Sequence, residues 1–309
     1  MKDPFNLKAQ TLSAMYELFP TERACIKHLE TINWHGNPVS PFDRTSKVYK
    51  LGNGKYRCKN TKRNFTVRTG TMFEKTKISL RKWFIAIWIE VNHKTGISSY
   101  QLASDIGVTQ KTAWYMLHKI RHSMRLANEN KLENEVEVDE TLVGGLNKNR
   151  HYNKKVPRSQ GRCHIDKTYV VGMIQRNSLM NARVTDDSKS GTLSRFIKEF
   201  VHKDAILYTD ENSAYNRVGK YYMRYKVDHG KGQYSYGNVT TNRIEASWSH
   251  LKRIVIGTYR HITKKHLQKY VNEFVFRYNL RDIDNSDRFN CFLCCTDLRY
   301  TYKQIRECV

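Results

Sequence analysis

Acidic side chains are scarce in this 309-residue chain, and the shortage narrows its class before any motif is considered. Its 29 Asp and Glu stand against 54 Lys and Arg, a formal charge of +25. Such a balance suits a polyanionic partner, most simply nucleic acid. The excess is not a basic tail, because residues 1–132 carry 23 basic and 9 acidic side chains and residues 133–309 carry 31 and 20. A long apolar run is also missing. The longest, WFIAIWIEV at 83–91, is far short of a bilayer span and contains Glu90, so no membrane partner is expected. The seven cysteines are odd in number and irregularly spaced, which excludes a disulfide framework and points to reduced thiols in the cytosol. Cys291, Cys294, Cys295 and Cys308 crowd the C-terminus without a second CxxC pair, so buried or incidental thiols are the expectation there. The opening MKDPFNLKAQ lacks a signal-peptide core, and no internal repeat is apparent. The chain does have enough apolar residues, 39%, with 12% aromatic, to build packed cores in about two domains.

Residues 44–82 hold thirteen Lys or Arg and a single acid, Glu74. Within them, KVYKLGNGKYRCKNTKRNFTVRTG alternates β-type and polar residues around a Gly-Asn-Gly turn, which reads as a small basic β-unit. The segment SSYQLASDIGVTQKTAWYMLHKIRHSM at 98–124 reads as two helices joined at Gly107. Thr109 is placed to cap the second helix, whose apolar face is Ala113, Met116, Leu117 and Ile120. This is a helix-turn-helix pattern, with Gln110, Lys111, Thr112 and Tyr115 at the exposed start of a DNA-reading helix; an ordinary helical hairpin is the alternative. From 133 onward the order is strand 135–143, strand 167–176, strand 181–187, helix 191–201, strand 205–210, a short helical NSAYNRV, then helices 241–254 and 264–279. Three strands before the first helix argue against an all-parallel sheet and suit a mixed sheet covered on both faces, as in the ribonuclease-H-like fold.

Residues 133–140 carry Glu133, Glu135, Glu137, Asp139 and Glu140 with no basic residue. An exposed acidic edge balancing nearby Lys and Arg is one reading. The sharper one singles out Asp139, near the exit of a buried strand, and Asp210, where the apolar AILYT run ends in a carboxylate. Glu245 follows Asp210 after 34 intervening residues, on a helix where Asn242 and Lys252 share its side. Three neighbouring carboxylates repel unless cations lie between them. Hard oxygen donors favour Mg²⁺ or Mn²⁺, and two such ions about 3.5–4 Å apart serve phosphodiester displacement.

VEVDETLVGG, KTYVVGMI, YTDENSAY and TNRIEASWSHLKRIVIGTYRHITKKHLQKYVNEFVFRYNLR together resemble bacterial insertion-sequence transposases of the DDE superfamily, in the ISXO-like group (insertion-sequence family fifteen-ninety-five). The resemblance covers about residues 20–282. It implies that Asp139, Asp210 and Glu245 form a catalytic triad holding two Mg²⁺ or Mn²⁺ ions. It further implies that Asn242 shapes the site and that Lys252, with the adjacent Arg253, contacts transposon-end DNA. The implied chemistry is hydrolysis at the transposon end, followed by attack of the freed 3′-hydroxyl on target DNA. The implied partners are terminal inverted repeats, target DNA and further copies of the chain. The implied location is cytoplasmic, on the nucleoid when DNA is bound.

The chain also departs from that group, which opens with a four-Cys zinc ribbon. The ligand positions here fall on Ser40, Asp43, Cys58 and Thr61, so no structural zinc is expected. Tyr49, Tyr56, Phe65 and Val67 should hold the unit together instead, with Cys25 and His28 as substitute-ligand candidates. The basic loop 147–167, with Lys154 and Lys155, is a DNA-contacting arm or a solvated loop. His229 is a substrate contact or a structural histidine.

The expected architecture is α+β and multidomain. It comprises a degenerate zinc-ribbon-like unit with an N-terminal helix (1–70), a helix-turn-helix region (71–132), a ribonuclease-H-like catalytic domain (133–282) and a Cys-rich tail (283–309). The expected function is DNA transposition. A structure-selective nuclease on the same fold, or a DNA-binding protein that has lost catalysis, is the competing expectation.

Overall fold

The computed structural model describes residues 9–144, 147, 151–157, 165–227 and 240–307. The chain divides into two compact units, Met1–Met124 with Asp282–Val309, and Arg125–Arg281.

The second unit is built on a mixed five-stranded sheet. Its strands are β4 (Glu135–Val143), β5 (Thr168–Gln175), β6 (Met180–Thr185), β7 (Ile206–Thr209) and β8 (Met223–Lys226), in the order β6-β5-β4-β7-β8. β4 runs antiparallel to β5, and β5 antiparallel to β6. β7 lies parallel to β4 on its other side, and β8 parallel to β7. Period-two alternation divides the faces. Val136 and Val138 of β4 join Val171 and Met173 of β5 under α6 (Ser190–Phe200), whose Leu193, Ile197 and Phe200 form one buried stripe. The other face is covered by α7 (Asn242–Ile254) and α8 (Lys264–Asn279), through Ile244, Trp248, Leu251, Val271, Phe274 and Val275. The odd residues of β4 therefore put Glu135, Glu137 and Asp139 on a face roofed by helix. Acids in that position must be bonded or paired. β8 has no counterpart in the sequence reading. Its four residues, MRYK, are largely exposed at the sheet edge and carry no apolar period.

In the first unit, α3 (Leu80–Asn92) is buried on nearly all sides and packs against α2 (Glu22–Trp34), α4 (Ser99–Ile106), α5 (Gln110–Ser123) and α9 (Asn285–Cys294). Glu90 within it pairs with Arg121 at 2.9 Å, both side chains at most 2% exposed. Gly107, in the left-handed region at φ 61°, closes α4, and Thr109 Oγ1 accepts the Thr112 N–H at the head of α5. Ala113, Met116, Leu117 and Ile120 are all buried, as their spacing predicts.

The C-terminal segment, set apart as a tail by the sequence, belongs to this first core. Phe289, Phe292 and Leu293 of α9 are fully buried, and the Phe289 ring meets Phe84 and Trp88. A three-stranded antiparallel sheet, β1 (Val48–Gly52), β2 (Lys55–Cys58) and β3 (Asn64–Phe65), forms the basic β-unit. Tyr56, Phe65 and Val67 are buried there, with Trp34 and Phe42 packed alongside Tyr56 and Phe65. Tyr49 is not part of this core. It lies outside at 43% exposure, because β1 is an edge strand with only Val48 turned partly inward.

Among the described residues, no helix is long and apolar enough to cross a membrane.

Candidate active site

Asp139 sits on β4 directly opposite Gly172 of β5. A Cβ at Gly172 would stand 2.4 Å from Trp248, so the glycine is what lets α7 lie this close to the sheet. That approach brings the Trp248 indole N–H to Asp139 Oδ2 at 3.0 Å. Glu245 lies one turn before Trp248 on α7 and is exposed, with its Oε1 accepting the Thr241 hydroxyl at 2.9 Å. Asp210 follows the last residue of β7, the strand parallel to β4. Its Oδ1 accepts the Asn212 N–H at 3.1 Å, and its carbonyl accepts Arg224 Nη2 at 2.9 Å.

Charge couples Asp139 to the other two acids. Burial first, then the charges of Glu140, Asp210 and Glu245, raise the Asp139 carboxyl to about 7, against an opposing backbone hydrogen bond at Glu140. Glu140 is itself raised by burial and by Asp210, while hydrogen bonds from Tyr215 and Asn212 pull it back. Hence Asp139 feels both other triad candidates. Among the described residues, however, no three His, Cys, Asp or Glu side chains gather closely enough to hold one ion.

Of the other sequence candidates, Asn242 opens α7 with its side chain exposed, and Lys252 and Arg253 are exposed in the last turn of the same helix. Lys154 and Lys155 are exposed at a short helical turn, Tyr152–Lys154. On α5, Lys111 is exposed, Gln110 Nε2 donates to Ser99 Oγ at 2.9 Å, and the Thr112 hydroxyl bonds that of Thr109 at 2.9 Å. The Tyr115 ring packs against Tyr302, 5.7 Å between centroids. Three of the four recognition-helix candidates thus have partners inside their own unit. His229 lies outside the described residues.

The ribbon positions still meet in part. The Cys58 thiol lies 3.2 Å from Ser46 Oγ, and hydrogen bonds with Ser40, Ser46 and Thr61 draw it down to about 6 against its burial. Asp43 instead accepts Asn60 Nδ2 at 2.8 Å and the Thr45 hydroxyl at 2.7 Å. The substitute-ligand candidates Cys25 and His28 are both packed into the helical core. Cys25 is fully buried, with its thiol pushed up to about 12, chiefly by burial. His28 bonds Asn290 at 3.1 Å among the rings of Phe19, Phe84 and Phe289.

Sequence reasoning missed the residues that hold the acids in place. Trp248 and Gly172 carried a readable signal, since a lone glycine inside a strand marks a close approach. Asn212, Tyr215 and Arg176, whose Nε donates to Glu137 at 3.2 Å, carried none.

Residues 131–279 match the ISXO2-like transposase domain. An uncharacterized protein in transposable element ISH50 of Halobacterium salinarum is 29% identical over 274 residues, covering 84% of this chain and 91% of that protein. Among solved structures, a pre-cleavage Mos1 transpososome matches 97% of this chain and 99% of that one at 10% identity. The TM-score of 0.29 is too low to support any conclusion about fold.

Proposed function

We propose that the chain, whose residues 131–279 match the ISXO2-like transposase domain, is an insertion-sequence transposase that cuts and joins DNA with Asp139, Asp210 and Glu245 as the catalytic carboxylates. The observation that carries the reading is the charge coupling at Asp139. Its carboxyl is raised by burial and by the charges of Asp210 and Glu245 together, on neighbouring parallel strands and the helix above them. A cation among the acids would relieve that repulsion.

The donor chemistry fits Mg²⁺ or Mn²⁺: three carboxylates and no thiolate or imidazole. Asp139, Asp210 and Glu245 would hold the ions, drawing closer around them than they stand here. When bound, such ions supply Lewis-acid stabilisation of the attacking and leaving oxygens of a phosphodiester. The chain's own residues do the positioning. The Trp248 N–H orients Asp139, and the Asn212 N–H orients Asp210. The strand order β6-β5-β4-β7-β8, antiparallel on one side of β4 and parallel on the other, supports a ribonuclease-H-like reading of this unit.

DNA contacts follow from exposure and charge. Lys252 and Arg253 continue the side of α7 that carries Glu245, and Lys154 and Lys155 stand in the basic loop. We assign α4–α5 the role of a DNA-reading helix pair, with Lys111 its exposed cation. Binding of this kind releases counterions and weakens steeply as salt rises.

The test uses labelled duplexes carrying the element's ends, with Mg²⁺ or Mn²⁺ present. The full chain should nick the ends and join them to a target. Asp139→Asn, Asp210→Asn and Glu245→Gln should each lower cleavage by on the order of a thousandfold or more while DNA binding persists. Cleavage without joining would identify a nuclease, and binding with no cleavage by the parent chain would identify a protein that has lost catalysis. Cleavage retained by all three variants would overturn the triad.

A further inference from the structure

β4 carries more acid than a catalytic triad needs, and two of the surplus residues, Glu137 and Glu140, are bonded inside the fold. Glu137 is fully buried two residues before Asp139. Its Oε1 accepts Arg176 Nε at 3.2 Å. Its Oε2 accepts two backbone N–H groups in the first turn of α7, Arg243 at 3.1 Å and Ile244 at 3.2 Å. Those are orphan donors that a helix normally satisfies through its own N-cap side chain. The N-cap residue here, Thr241, makes no such bond, and its hydroxyl donates to Glu245. A carboxylate on the sheet therefore caps the helix that carries Glu245. Arg176 reinforces the join, reaching Glu135 at 3.3 Å and the Thr240 carbonyl at 3.2 Å.

Glu140, next to Asp139 on the opposite face of β4, does the same for the third acid. Its Oε1 accepts Asn212 Nδ2 at 2.8 Å, and its Oε2 accepts the hydroxyl of the fully buried Tyr215. Asn212 also gives its backbone N–H to Asp210. The two surplus acids flanking Asp139 thus grip the two elements bearing the other triad members.

We propose that Glu137 and Glu140 are positioning residues for the triad: Glu137 sets the distance from Asp139 to Glu245 through the first turn of α7, and Glu140 sets the distance from Asp139 to Asp210 through Asn212. The inference rests on the catalytic reading above. It accounts for three of the four acids on β4, one for chemistry and two for placement, while Glu135 pairs with Arg176. Neither residue needs to touch substrate to act, and their effect reaches the reaction through the geometry of the carboxylates. Groups that orient metal ligands in this way are worth roughly 10–100-fold in metal affinity.

The experiment measures Mn²⁺ binding to the full-length chain without DNA, by calorimetry and by loss of the free-ion spin-resonance signal, alongside the metal-free melting midpoint. Glu137→Gln and Glu140→Gln should weaken Mn²⁺ roughly 10–100-fold in chains that still melt cooperatively. Arg176→Lys and Tyr215→Phe loosen the same two clasps while leaving every carboxylate in place, so they decide the matter if either glutamate variant fails to fold. Coupling should be arm-specific. Glu137→Gln added to Glu245→Gln should cause little further loss, whereas added to Asp210→Asn it should cause its full loss; Glu140→Gln should show the reverse pattern. Folded clasp variants that bind Mn²⁺ as the parent does would overturn the proposal, as would melting changes with no change in Mn²⁺ affinity. If Asp139→Asn, Asp210→Asn and Glu245→Gln also bind Mn²⁺ as the parent does, the catalytic reading itself fails.

Discussion

One acid in each compact unit is withdrawn from water among neighbours of opposite sign to the other's. In the first, Glu90 and Arg121 are both withdrawn from water and face each other at 2.9 Å, so each supplies what the other lost. In the second, Asp139 is withdrawn beside Glu140, Asp210 and Glu245, and like charge meets like. A pair of opposite charges needs no outside ion, which suits a part of the molecule concerned with holding shape. A set of like charges is unfavourable until something positive joins it, which is the pattern expected of the proposed catalytic site.

The contrast breaks most visibly in the sign of a stability change. Arg121→Ala, which strands a buried carboxylate, should cost about 3–5 kcal/mol in a urea melt, whereas joint replacement of the pair by Glu90→Leu and Arg121→Met should cost far less. A loss under about 1 kcal/mol for the single variant would remove the first half of the comparison.

Asp139→Asn should act in the opposite direction. The folded-state pKa of Asp139 is raised from 3.8 to about 7. Its favourable contribution is therefore present at acid pH, below the unfolded value, and is lost as pH rises through about 7. The metal-free Asp139→Asn chain should accordingly be more stable than its parent by up to about 4 kcal/mol near pH 8, with the advantage vanishing below about pH 4. Equal stabilities across that range would show that the acids do not repel. Divalent cations should stabilise the parent near pH 8 and leave the variant little changed.

A smaller effect sharpens the geometry. Gly172→Ala puts a methyl group into the Trp248 ring, 2.4 Å from its nearest atom, and α7 must rise or tilt. Overpacking of this kind costs about 1–3 kcal/mol. Cleavage should fall by more than the loss of stability accounts for, since Glu245 travels with the helix; an unaffected cleavage rate would mean that α7 can move without consequence.

Much of this was legible in the residues. β4 begins and ends where the alternation of Val136 and Val138 with acids predicts, and the helices at 242–254 and 264–279 follow their apolar period. Asp139 and Asp210 stood out as carboxylates at the ends of apolar strands, and Glu245 by its spacing from Asp210 on a helix. What the sequence withheld was longer in range. Nothing in Asn212 or Tyr215 announces that they close on Glu140 across more than seventy residues, and nothing in Arg176 announces two glutamates and a helix end. Glu137 was visible only as one acid in a cluster, because its role as a cap depends on where α7 lands. β8 escaped because an edge strand needs no buried period, and α9 because the crowd of cysteines drew attention from Phe289, Phe292 and Leu293.

The most direct test of the shared site is a carbon-13 NMR titration of the Asp139 carboxyl in the metal-free chain. The account predicts an apparent pKa near 7 that falls in Asp210→Asn and in Glu245→Gln, and that drops below the titrated range when Mg²⁺ is added. A carboxyl that titrates near its ordinary 3.8 and ignores both substitutions and the cation would contradict it.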